Sequence, residues 1–130
     1  MDGAELLRKL QIRPGARVAL IGAPAEVESA IEGAVRLTEP GQACDAAVAF
    51  CANPADVAAF AQQALTGLIE DGVLWFAWRK GAAGKTSGLT RDAGWAPLDN
   101  LGYRGVRSIA FDDAWSGLRF REAWRVKTRQ

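Results

Sequence analysis

Lys85, Thr86 and Arg91 stand in the stretch GVLWFAWRKGAAGKTSGLTRD (72–92), where an apolar run opens into a glycine-rich basic loop. An ammonium, a hydroxyl and a guanidinium gathered on such a loop could hold a phosphate or carboxylate through charge-assisted hydrogen bonds. From Arg79 through Lys80 and Lys85 to Arg91 the loop has no acid until Asp92. A second basic run carries Arg119, Arg121, Arg125, Lys127 and Arg129. In an extended chain Arg119 and Arg121 share a face, about 7 Å apart by the strand rise. Lys85, Thr86, Arg91 and Arg119 are therefore the expected contacts of a small anion. Its expected place is the carboxyl ends of strands at 73–78 and 106–111, where open α/β sheets bind ligands.

The loop also matches half of a nucleotide-phosphate loop, Gly-x-x-x-x-Gly-Lys-[Ser/Thr]. Gly84, Lys85 and Thr86 fit the second half, but Arg79 occupies the first glycine position, so the turn that cradles the phosphate is not specified. A different ligand position lies at VALIGAPAEV (18–27), the strand exit at which a Rossmann-type domain holds a dinucleotide or S-adenosylmethionine. Such sites usually have several glycines, so that the backbone can approach the ligand. Here Gly22 stands alone before Ala23 and Pro24, while Glu39, at the end of the next strand, could accept hydrogen bonds from a ribose.

The chain contains no histidine, which removes Ser-His-Asp and Cys-His nucleophile arrangements and every imidazole metal site. No metal site is expected. Cys44 and Cys51 flank DAAVAF; across a strand they would lie on the order of 20 Å apart, too far for a disulfide, so both should be reduced thiols. Cys51 could be activated by the helix start at Asn53-Pro54, although a buried structural cysteine is the commoner state. The five tryptophans are read as core and edge cover, with Trp78 and Trp115 as candidates for lining a mouth.

The elements that must position these groups follow from periodicity. Leu6, Leu7 and Leu10 mark a short helix, and Val18 to Ile21 a strand buried on both faces, as in a parallel sheet. A second short helix spans 25–33 and short strands follow at 34–38 and 45–50. Asn53 and Pro54 read as a helix cap and first turn. Behind them Val57, Phe60, Ala61, Ala64 and Leu68 form an apolar face on a helix that should run to Asp71. After the strand at 73–78, a helix with Trp95, Leu98 and Leu101 as its buried face is expected between 87 and 101. Strands at 106–111 and 118–126 are joined by so short a link that they must pair antiparallel. In the latter, Leu118, Phe120, Trp124 and Val126 should share one face and Arg119, Arg121, Arg125 and Lys127 the other.

This order predicts one domain over 1–130: an α/β, three-layer, Rossmann-like and mostly parallel sheet ending in an antiparallel hairpin. The Lys-Thr-x-x-Leu-x-Arg-Asp segment (85–92) and the Asp-x-x-Trp-Ser-x-Leu-Arg-Phe hairpin (112–120) resemble a bacterial family of small domains of unknown function. At the level of fold the whole is similar to a truncated class I methyltransferase domain, whose last two strands also form a hairpin. The resemblance implies a fold and no particular reaction.

Sixteen Lys and Arg against fifteen Asp and Glu give a net charge of +1, so no nucleic acid partner is expected. No apolar run reaches the roughly 18 residues of a membrane span, and MDGAELLRKL is not a signal peptide, which points to the cytoplasm. With one glycine at the first strand's exit, the expectation is a non-catalytic binding or regulatory module with no cofactor and a small anionic ligand. The alternatives are a minimal S-adenosylmethionine-dependent methyltransferase using Gly22 and Glu39, and a structural subunit that buries Trp115 and the last strand in a homo-oligomer.

Overall fold

A computed structural model describes residues 3–39, 41–81 and 88–126. Its helices are α1 (Gly3–Lys9), α2 (Ala25–Ile31), α3 (Pro54–Gly67) and α4 (Ala96–Asn100). Its strands are β1 (Arg17–Ile21), β2 (Arg36–Thr38), β3 (Cys44–Phe50), β4 (Leu68–Arg79), β5 (Tyr103–Ala110) and β6 (Trp115–Glu122), followed by a 3-10 turn at Ala123–Arg125. The six strands form one sheet in the order β2-β1-β3-β4-β6-β5. Pairs β1–β2, β1–β3 and β3–β4 are parallel, whereas β6 runs antiparallel to both β4 and β5. The mostly parallel, Rossmann-like sheet with a terminal hairpin is the architecture the sequence predicts.

Side chains alternate across the sheet, so each central strand feeds two cores. On one face Ile21, Ala47, Leu74, Phe76, Leu118 and Phe120 pack under α3, α4, Leu89 and Trp95. On the other, Val18, Val48, Phe50, Trp75 and Trp115 pack under the leucines of α1 and Val27 and Ile31 of α2. Trp75 is fully buried and its indole N–H donates to the Leu10 carbonyl at 3.0 Å, which ties the end of α1 to the sheet centre. Burying an aromatic side chain of this size stabilises by about 3 kcal/mol.

Three segments depart from expectation. The helix predicted through Asp71 stops at Gly67, and β4 begins at Leu68. Asp71 has φ of 52°, outside the helical region, and the β3–β4 register shifts between Cys44 and Ala46 to absorb the extra residues of this turn. The helix expected before Leu101 is only α4, so Trp95 and Leu98 are buried as predicted but Leu101 is half exposed. β6 ends at Glu122, so Trp124 leaves the apolar face assigned to it and is 70% exposed.

Candidate functional site

The strand order reverses at β1. The chain leaves β1 for β2 on one side and enters β3 on the other, and it is at the carboxyl ends of strands at such a reversal that open α/β sheets bind ligands. Gly22 lies at the exit of β1 with φ of +67°, and a Cβ there would stand 2.7 Å from the Phe50 carbonyl oxygen and 3.0 Å from the Phe60 ring. Only glycine fits that backbone. Glu39 follows β2 and is exposed; its N–H donates to Gln42 Oε1 at 3.0 Å. The hydroxyl of Thr38, in register with Ala19, is buried with no hydrogen-bond partner. Next along the edge, Asn53 Oδ1 accepts from the Asp56 N–H at 3.0 Å, and Asp56 Oδ2 accepts from the Ala52 N–H at 2.8 Å, a reciprocal cap at the start of α3. Gly22 and Glu39, the residues named for a nucleoside cofactor, therefore follow neighbouring strands at one edge of the sheet.

Cys51 lies on this edge too, 1% exposed, with its N–H bonded to the Ala77 carbonyl at 2.9 Å. Burial, with a smaller contribution from the Asp56 charge, pushes its thiol up to about 12. Burial likewise raises Cys44. Both are free, neutral thiols in the core rather than nucleophiles.

Lys85 and Thr86 lie outside the described residues. Arg91 is exposed and lines a cavity of about 520 Å³ together with Trp95, Asp99, Leu118 and Phe120 on the α4 side of the sheet. Arg119 projects from the opposite face of β6 and lines a cavity of about 450 Å³ with Gln11, Arg121 and Arg125. The two arginines named for one anion are thus not brought together, because consecutive β6 residues point to opposite faces. The edge residues Val106 and Arg107 border both cavities.

Much of what distinguishes the two C-terminal segments is structural. Leu89 is 1% exposed in the core, and the Thr90 carbonyl accepts the Trp95 indole N–H at 2.7 Å. Asp112 Oδ1 accepts from the N–H groups of Ala114 at 2.8 Å and Trp115 at 2.9 Å, which fixes the hairpin turn. A Cβ on Gly117 would meet the Phe111 ring at 2.1 Å, so glycine is required there. Trp78 and Trp115 are each 7% exposed and belong to cores on opposite faces, so they cover the sheet rather than frame a shared mouth.

The register of the hairpin was not foreseen. Arg107 stands directly opposite Arg119, and Arg104 opposite Arg121, so two like-charged pairs follow one another on one sheet face. The shift between Gly105 and Arg107 produces this alignment. Arg121 is answered by Asp71 at 2.8 Å and Arg125 by Glu122 at 3.0 Å and Glu70 at 3.1 Å. Among the described residues Arg104, Arg107 and Arg119 form no ion pair; Arg119 donates to the Gln11 side-chain oxygen, and its Nε is buried without an acceptor.

No protein-family model and no curated protein sequence matches the chain. Solved structures do match by shape. The ribosomal protein L11 methylase of Lactobacillus delbrueckii subsp. bulgaricus superposes with a TM-score of 0.55 at 13% identity, over 92% of this chain and 76% of that one. The N-methyltransferase NodS of Bradyrhizobium japonicum gives 0.55 at 12%, over 92% and 93%. The fibrillarin of Aeropyrum pernix, solved with natively bound S-adenosyl-L-methionine, gives 0.54 at 12%, over 84% and 67%. The fold is the class I methyltransferase fold. Identities this low establish architecture alone, and the chain spans about two thirds of the fibrillarin length.

This methyltransferase-like architecture overturns the expectation of a non-catalytic module without a cofactor. Two of the proteins that share the sheet are named for methyl transfer, and a third carries S-adenosyl-L-methionine. That expectation rested on the glycine count after the first strand, whereas the architecture is set by strand order and packing, which that count does not report. Among the described residues no helix is long and apolar enough to cross a membrane.

Proposed function

We propose that this chain is a small S-adenosylmethionine-dependent methyltransferase domain, with Gly22 and Glu39 at the cofactor. The observation that carries the reading is the reversal of strand order at β1, with Gly22 and Glu39 following the adjacent strands β1 and β2. The donor set suits a nucleoside: the exposed Glu39 carboxylate accepts from ribose hydroxyls, as an acid at the end of the second strand does in Rossmann-type sites. The unpaired Thr38 hydroxyl adds an unused polar group beside it. Gly22 keeps the backbone free of a side chain at the exit of β1, with Phe60 closing the α3 side. When bound, S-adenosylmethionine supplies a methyl group on a sulfonium, open to attack by an acceptor nucleophile. Cys51, neutral and buried, neither removes a proton from that acceptor nor takes the methyl group itself.

Isothermal calorimetry tests the proposal. S-adenosylmethionine should bind in the micromolar range, NAD should not compete, and Glu39→Gln should weaken binding about tenfold or more, as expected for loss of hydrogen bonds to a charged group. Absence of heat with the folded protein, or equal affinity in Glu39→Gln, would remove the basis for this assignment.

A further inference from the structure

The paired arginines of the terminal hairpin serve no role at the cofactor edge. Like charges directly across a strand pair repel, so the sheet gains nothing from placing Arg107 opposite Arg119 and Arg104 opposite Arg121. Arg119 is held by Gln11 just beyond α1; partial burial and the charges of Arg121 and Arg107 disfavour its charge, and Asp71, engaged by Arg121 at 2.8 Å, offsets this only in part without pairing with Arg119. On this face α1 and α2 cover the sheet only as far as Trp75 and Trp115, while Arg104, Val106 and Arg107 are exposed. The result is a cavity of about 450 Å³ with a cationic floor and apolar edges at Val106 and Val126, within the size range of small-ligand sites.

We infer that this face is a binding site for a small phosphate-bearing ligand, gripped between Arg107 and Arg119. Two guanidinium groups facing one another supply forked donors to a shared oxyanion and lose their mutual repulsion when it binds. The size of the occupant follows from the surroundings. Glu70, Asp71 and Glu122 gather around Arg121 and Arg125 at one end of the patch, where they would repel the continuing backbone of a nucleic acid strand. The site lies on a sheet face rather than at the strand ends and is independent of methyl transfer.

Thermal unfolding at low salt, with inorganic pyrophosphate as the probe, tests the inference. The wild-type midpoint should rise by several degrees above a sodium chloride control of matched ionic strength, through preferential binding to the folded state. Arg107→Gln and Arg119→Gln should each lose most of that rise. Arg107→Gln, relieved of repulsion on an exposed edge strand, should melt no lower than wild type without ligand. The inference is overturned if pyrophosphate matches the salt control, if both variants respond as wild type does, or if a single-stranded oligonucleotide gives the same rise at a tenfold lower phosphate concentration.

Discussion

The ring of Phe60, on α3, lies so close to the backbone of Gly22 that a Cβ at Gly22 would approach its Cε2 to 3.0 Å. The same Cβ would approach the Phe50 carbonyl oxygen to 2.7 Å, and backbone cannot swing aside as a ring can. Gly22→Ala adds this crowding to a φ of +67° that L-residues avoid. It should destabilise the fold by about 2 kcal/mol, read as a lower urea midpoint at unchanged slope.

The hairpin turn depends on Asp112, whose Oδ1 serves two backbone N–H groups. Asp112→Ala should cost about 1–2 kcal/mol by leaving both donors without an acceptor. Asp112→Asn keeps the oxygen and should restore most of the loss in the same urea titration.

Acid should weaken the fold through Asp45 and Asp71. Arg17 hydrogen bonds to Asp45, and Arg121 hydrogen bonds to Asp71, hold these carboxyl groups below their ordinary value of 3.8. The unfolded chain therefore takes up protons before the folded chain does as pH falls. Their contribution is complete above the ordinary carboxylate range and is lost as pH drops through the lower folded values. The urea midpoint should fall on acidification below about pH 4. In Asp45→Asn that dependence should be shallower, and an unchanged slope would show that the Arg17 pair contributes nothing.

Cys51, with its thiol pushed up to about 12, should resist Ellman's reagent in the native protein at pH 8. Both cysteines are buried, so two equivalents should appear only in denaturant. Rapid native labelling of one thiol would contradict the packing at the end of β3.

The sheet was legible because buried parallel strands are continuous apolar runs, as at Val18–Ile21 and Val73–Trp78, and because Asn53-Pro54 announces α3. Periodicity misled where two patterns overlap: Leu68 continues the apolar face of α3, yet the chain turns into β4 at that residue. Alternation correctly placed Arg119 and Arg121 on one face. It could not show that the register would set Arg107 against Arg119, since that depends on the register shift between Gly105 and Arg107. Trp124 was assigned by the same alternation and escaped it because the strand ended two residues earlier. That Gly22 and Glu39 follow two neighbouring strands was readable from the apolar runs at 18–21 and 34–38. The reversal of order around β1 was not, because adjacency of β1, β2 and β3 is a property of the whole sheet rather than of local sequence.

The most direct measurement is an amide NMR map of the protein titrated with S-adenosylmethionine. Saturable shifts are predicted for Gly22, Thr38, Glu39 and the Ala52–Asn53 segment, with β5 and β6 unmoved. Shifts confined to β5 and β6, or no saturable shifts in a folded sample, would contradict the assignment of the carboxyl ends of β1 and β2 to the cofactor.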